Sequence, residues 1–291
     1  MRNFSPTASS LLASYIGVFD SGVGGLTVLS VLRKAYPNRS FLYLGDTARV
    51  PYGTKSPDVV TQYALEAAWF LSRYPLDALV VACNTVSSVA LPALHAAYPN
   101  IPILGVVIPG AKAAVEATKT GQVVVLGTEG TIASGSYRKA VQALNLEVEV
   151  TGIACPLFVP LVEEGILSGP IPKLAVEHYL AGRINDQIDT IVLGCTHYPL
   201  LREVIQEVAG SRVTIVDSAI PLAQELASHL PPCSATEGKL RIFTTDFSER
   251  FMRIGAKFLG SRVMEPTRID LEEMLYSERR IPAEAMPRKN E

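Results

Sequence analysis

Nine short apolar runs recur along the chain, and nine longer stretches with helical spacing of apolar residues lie between or after them. The runs are YIGVF (15–19), FLYLG (41–45), ALVVA (78–82), IPILGVV (101–107), VVVLG (123–127), VEVTGIA (148–154), TIVLG (190–194), RVTIVD (212–217) and LRIF (240–243). Most lack the apolar–polar alternation of a half-exposed strand, so they predict strands buried on both faces. Segments 26–36, 58–73, 87–98, 109–118, 132–144, 173–183, 200–209, 219–230 and 248–259 repeat apolar residues at helical intervals and predict helices. Ser56-Pro57-Asp58 marks one helix start: a capping hydroxyl, a proline whose missing N–H has no role in the first turn, and an acid near the positive helix end. This alternation predicts an α/β fold of mainly parallel sheets flanked by helices. In such sheets ligands bind beyond the carboxyl ends of the strands.

The pattern also repeats within the chain. DALVVACNT (77–85) and DTIVLGCTH (189–197) share a plan: an aspartate six positions before a cysteine, an apolar strand, then a polar pair. GVFDSGVGGLT (17–27) and VVLGTEGTIAS (124–134) each run from a strand into a glycine-containing, hydroxyl-bearing turn and then a helix. Two similar α/β domains facing each other across a cleft are expected. The first is expected over 1–108 and completed by 222–265, and the second over 109–221. The charge-rich stretch 266–291 is expected to be a terminal helix or a frayed tail.

Composition narrows the function classes. With 291 residues, 48% of them hydrophobic, and a net charge of −2, the chain can fill two modest cores. It shows no basic stripe interleaved with aromatics, so no nucleic-acid partner is expected. No apolar run approaches the ~20 residues of a membrane-spanning helix. The opening MRNFSPTASSLLASY is a poor export signal and reads as a loose extension. The four cysteines, at 83, 155, 195 and 233, have neither zinc-type spacing nor a disulfide framework. A soluble protein of the reducing cytoplasm is expected.

Cys83 and Cys195 carry the first candidate chemistry. Both are placed at the carboxyl end of a strand, just ahead of a helix whose positive end favours a thiolate. Cys155 and Cys233 read as packing or loop residues. Disulfide exchange would want Cys-x-x-Cys, which is absent. A phosphatase would want Arg six positions after the cysteine, but position 89 is Val and position 201 is Leu; Arg202 misses by one. Zinc could recruit Cys83, Cys195, His197 and Asp20, yet nothing in their spacing favours it, and no metal is expected. A single nucleophile leaves one cysteine unexplained. Two opposed thiols use both: one removes a proton from a carbon, the other delivers one to the opposite face, and the centre inverts.

Around them lie further candidates. GVFDSGVGGLTV fails the dinucleotide fingerprint and lacks a phosphate-loop lysine. It offers Asp20 as a tuning or proton-relay group and Ser21 as a substrate donor. In PYGTKS the Tyr52 hydroxyl and Gly53 N–H are expected to meet a carboxylate. Asn84-Thr85 and Thr196-His197 follow the two cysteines, and His197 is a local acid or base. His95, His178 and His229 fall in helical patterns and read as structural or exposed.

Taken together, GVFDSGVGGLTV, PYGTKS, ACNTVSS, GTEGTIAS, CPLFVPLVEEG and LGCTHYPLL, in this order, resemble the glutamate racemases of the aspartate/glutamate racemase superfamily. The likeness covers about residues 15–260. It implies a two-domain α/β fold, cofactor-independent interconversion of L- and D-glutamate, and supply of D-glutamate for peptidoglycan. It implies that Cys83 and Cys195 transfer the protons, helped by Asp20 and His197. Substrate contacts would fall on Asp20, Ser21, Tyr52, Gly53, Asn84, Thr85, Thr196 and His197, with Thr128 and Thr131 as weaker candidates. Glu163 lies in a similar segment and receives no role. A homodimer is implied as well. An aspartate racemase of the same superfamily is the nearest rival, although such enzymes tend to carry Glu where this chain has His197. A non-enzymatic amino-acid binder would explain a cleft but not the paired thiols.

Overall fold

The computed structural model describes residues 14–233, 235–246, 249–260 and 265–279. Residues 1–13 of the loose N-terminal extension and 280–291 of the tail expected from the sequence lie outside these residues, whereas Tyr15, read as the end of the extension, opens the first strand. Among the described residues there are ten strands: β1 (Tyr15–Asp20), β2 (Ser40–Gly45), β3 (Leu76–Val81), β4 (Ile103–Gly105), β5 (Gln122–Gly127), β6 (Glu149–Ala154), β7 (Thr190–Gly194), β8 (Thr214–Val216), β9 (Leu240–Thr244) and β10 (Thr267–Arg268). All pairings are parallel. They form a six-stranded sheet in the order β10-β9-β2-β1-β3-β4 and a four-stranded sheet in the order β6-β5-β7-β8.

The internal repeat is visible in that topology. The order β2-β1-β3-β4 is reproduced as β6-β5-β7-β8, so β1 corresponds to β5 and β3 to β7. In each sheet the chain steps from the central strand to one side and then returns to the other. That reversal opens a crevice at the carboxyl ends of β1 and β3, and another at those of β5 and β7. Strands β1 and β7 are buried along their whole length, as continuous apolar runs require when helices cover both faces. One apolar cluster contains Ile16, Val18 and Val80 from the first sheet and Val124, Leu126 and Leu193 from the second. The two sheets therefore share a core that fixes the crevices face to face.

The helices differ from the periodicity in three places, each for a local reason. The stretch 87–98 is two helices, Asn84–Val89 and Leu91–Ala97, with Pro92 at the start of the second. The stretch 132–144 breaks at Gly135, whose φ of 64° is left-handed, into Glu129–Ala133 and Ser136–Leu144. After β7 the chain makes a single 3-10 turn over Tyr198–Leu201 before the helix Arg202–Ala209. The helix expected to aim its positive end at Cys195 therefore starts seven residues further on. Helix Phe158–Glu163 and strand β10 were not expected from the pattern; within the tail, Leu271–Arg279 is a helix.

Candidate active site

The two crevices face a single cavity of about 380 Å³ between the sheets. Ser21 and Gly22 reach it from the turn after β1, Cys83, Asn84 and Thr85 from the end of β3, Thr128 from the end of β5, and Cys195, Thr196 and His197 from the end of β7. Tyr52 and Gly53 enter from the loop after β2. Among the described residues, the lining contains no Lys or Arg. Nor is any group of three His, Cys, Asp or Glu arranged there to hold a metal ion.

Cys83 and Cys195 are both 6% exposed. Cys83 caps the helix Asn84–Val89 from an extended conformation. Its Sγ lies 3.5 Å from Ser21 Oγ. Burial, and then the charge of Asp20, push this thiol up to about 12, against the pull of Ser21 and the Val86 N–H. Cys83 therefore rests as the neutral thiol.

Cys195 has a different neighbour. His197 Nδ1 is 3.9 Å from Cys195 Sγ, and His197 Nε2 is 3.2 Å from Glu163 Oε1. Burial alone would lower the imidazole pKa, but hydrogen bonds and charge from Cys195 and Glu163 outweigh it and hold the ring at about 10. His197 is thus an imidazolium at neutral pH. It supplies at Cys195 the positive charge that a distant helix end does not.

Asp20 is wholly buried and does not line the cavity. Its Oδ2 accepts the Gly22 N–H at 2.9 Å. Burial raises its pKa, opposed by the charge of His197, the N–H groups of Gly22 and Gly25, and the Thr196 hydroxyl. It lies behind the wall, coupled by charge to His197 and to Cys83. The glycines of this turn are required by close approach. A Cβ on Gly24 would lie 2.3 Å from Thr196 Oγ1 and 2.5 Å from His197 Nδ1.

The hydroxyl wall is a triangle. Thr85 Oγ1 is 2.9 Å from Thr128 Oγ1 and 3.4 Å from Thr131 Oγ1, and Thr128 and Thr131 are 3.0 Å apart. Thr131 sits behind Thr128 and does not reach the cavity. Asn84 Oδ1 accepts the Tyr137 hydroxyl at 2.7 Å, which fixes the orientation of its amide. The Tyr52 hydroxyl, expected from the sequence to face a substrate carboxylate, donates instead to Asp46 Oδ2. Tyr198 donates to the Cys155 carbonyl at 2.9 Å and packs edge-on against Phe158, outside the lining. Cys155 is buried, His95 bonds the Ile103 carbonyl and His229 is exposed, as their sequence settings implied.

The lining also includes the apolar Val50, Pro51, Pro156, Val159 and Pro160 and the acids Glu129 and Glu163. Sequence reasoning left Glu163 without a role. The signal available was its place at the end of a short apolar helix, but Pro160 in that segment concealed the helix. Two loops meet across the cavity. Gly130 N–H donates to the Gly53 carbonyl at 2.8 Å, and a Cβ on Gly53 would fall 2.7 Å from Thr128 Cβ. A Gly53→Ala substitution should therefore wedge the two halves apart, raising KM several-fold and lowering stability by about 1–3 kcal/mol. Steady-state kinetics and urea unfolding check this; an unchanged KM would show that the loop contact does not shape the cavity.

Comparison with known proteins agrees with this fold. Residues 26–226 match the family model described as Asp/Glu/Hydantoin racemase. A glutamate racemase from Geobacter metallireducens is 48% identical, over 88% of this chain and 97% of its own length. The crystal structure of a glutamate racemase from Bacillus anthracis superposes with a TM-score of 0.84 at 39% identity, covering 90% of this chain and 98% of that one. That of the Francisella tularensis glutamate racemase in complex with D-glutamate gives 0.83 at 32% identity, covering 89% and 98%. An aspartate racemase from Picrophilus torridus, at 15% identity and a TM-score of 0.52, shares the fold. Paired sheets, paired crevices and near full-length similarity lead to one assignment: the chain belongs to the glutamate racemase family.

Proposed function

We propose that the protein interconverts L- and D-glutamate by transferring protons between Cα and two thiols, Cys83 and Cys195. The observation that carries this reading is the arrival of both cysteines, one from each repeat of the fold, in one cavity with unlike electrostatic partners. A stereocentre is inverted most simply when a base and an acid stand on opposite sides of it. Cys195, whose Sγ lies 3.9 Å from His197 Nδ1, takes the Cα proton. Cys83, the neutral thiol, delivers a proton to the other face. The reverse reaction starts with the two roles exchanged.

The difficult step is removal of a Cα proton beside a carboxylate. The chain's own residues lower that barrier by excluding water and by aiming fixed dipoles at the developing charge. Ser21, Asn84, Thr85, Thr128 and Thr196 offer neutral donors at the strand ends, and Gly53 offers its N–H to a carboxylate. Asp20 and Glu163 set the charge state of the thiol and imidazolium sides. Structures of related glutamate racemases in complex with D-glutamate and with L-glutamate support glutamate as the substrate. The product D-enantiomer would feed peptidoglycan, in keeping with a cytoplasmic enzyme, and we propose that the working form is a homodimer.

The test is an assay of the purified protein on L- and D-glutamate and on both enantiomers of aspartate, with no added cofactor, read by chiral chromatography. Racemisation of glutamate from either side is expected, with aspartate converted far more slowly. Conversion of aspartate in preference to glutamate would assign the chain to the rival reaction, and conversion of neither would contradict racemase function.

A further inference from the structure

Just behind the cavity lies a second set of charged groups that the proton-transfer scheme does not use. Asp46 follows β2 and is wholly buried, outside the lining. Burying a carboxylate is costly unless it is hydrogen-bonded and met by an opposite charge. Its Oδ1 accepts Thr245 Oγ1 at 2.8 Å. Its Oδ2 accepts two donors, the Tyr52 hydroxyl and Arg49 Nε, the latter at 2.7 Å. Arg49 then uses Nη1 to bind Glu66 on the helix Pro57–Leu71. Its guanidinium lies 4.0 Å over the Tyr63 ring, and that ring stands 5.4 Å from the ring of Tyr52.

Arg49 does not line the cavity. It opens on a separate surface groove with Asp58, Gln62 and Trp69. Yet the loop it belongs to delivers Tyr52 and Gly53 to the cavity wall. That loop is fixed on one side by the Asp46–Arg49–Glu66 chain of ion pairs and on the other by the Gly130 N–H bound to the Gly53 carbonyl. Arginine suits the task better than lysine. Its planar fork serves two carboxylates in different directions while stacking on an aromatic face, and a lysine ammonium cannot do all three at once.

We infer that Arg49 is a positioning residue, which through Asp46 and Tyr63 fixes Tyr52 and the Gly53 N–H where a substrate carboxylate docks. This rests on the reading of the cavity as a glutamate site. Arg49 makes no contact with the reacting atoms. Its loss displaces a binding group and leaves the thiols, Asp20 and His197 in place.

The experiment is steady-state racemisation kinetics of the full chain and of its Arg49→Lys, Arg49→Gln, Tyr52→Phe and Arg49→Gln/Tyr52→Phe variants, each checked for folding by circular dichroism. Loss of a charge-assisted positioning contact should raise KM of Arg49→Gln by about tenfold while kcat stays within about threefold. Arg49→Lys should fall between the parent and Arg49→Gln. The double variant should be no worse than Arg49→Gln, because both changes act through Asp46. A parental KM in Arg49→Gln, a loss confined to kcat, or KM increases that multiply in the double variant would overturn the inference. If Arg49→Gln does not fold, Arg49→Lys and Tyr52→Phe decide: a raised KM in both supports the role, and a parental KM in either refutes it. An inactive parent protein would refute the glutamate reading itself, whereas an active parent with indifferent variants refutes only the role of Arg49.

Discussion

Replacing either Cys83 or Cys195 by serine should lower the rate of glutamate racemisation by about 10³-fold or more, because in the proposed mechanism each thiol moves the proton on one face of Cα. The two variants should differ in a way that a general loss of structure would not produce. With Cys83→Ser, Cys195 can still remove a proton from the enantiomer whose Cα hydrogen faces it and return a solvent-derived one to the same face. In heavy water that enantiomer should gain deuterium without inverting. With Cys195→Ser, Cys83 should do the same for the opposite enantiomer. Proton NMR of the Cα position, combined with chiral analysis, reads both outcomes. Exchange of the same enantiomer by both variants, or full racemisation by either, would contradict the assignment of one thiol to each face.

The second large effect concerns the charge on His197. The imidazolium 3.9 Å from Cys195 is held at about 10 by its two neighbours. Its cation is present below that value and lost above it. The rate constant kcat/KM should therefore fall on the alkaline side as pH rises through about 10. Glu163 raises the His197 pKa, so Glu163→Gln should move this limb to lower pH and leave less activity at pH 9 than the parent retains. Replacing His197 by alanine should lower kcat by about 10²-fold, within the range typical of a lost acid–base helper. A pH–rate profile of Glu163→Gln whose alkaline limb coincides with the parent's, or lies above it, would show that the pair does not govern the reaction.

Much of the architecture was legible because parallel strands covered by helices are apolar along their whole length. The nine runs could be found without knowing their partners, and the doubled motif around Cys83 and Cys195 announced a repeat that the strand orders display. Strand β10 was illegible because two residues, Thr267 and Arg268, carry no periodicity; they are a strand only through pairing with Phe243 and Thr244. Helix Phe158–Glu163 was concealed by its length of six residues and by Pro160 within it.

Within the site, the residues that follow the strands could be read from position alone, since the carboxyl ends of parallel strands converge. What sequence could not give was direction. Tyr52 sits in the wall, but its hydroxyl turns away to Asp46, because a buried carboxylate attracts the nearest donor. Thr131 and Asp20 stand one layer back from the lining for the same kind of reason: each satisfies a neighbour. The Glu163–His197 contact joins residues 34 positions apart and has no sequence signature. The helix end expected beside Cys195 is not there, because the chain turns through a 3-10 segment first; the His197 ring stands 3.9 Å from the sulfur instead.

The most direct test of the two-thiol account is a crystal structure of the protein with glutamate in the cavity between the sheets. The account predicts that the Sγ atoms of Cys83 and Cys195 lie on opposite faces of Cα, each within reach of a proton on that carbon. Two sulfurs on the same face, or one of them remote from Cα, would contradict it.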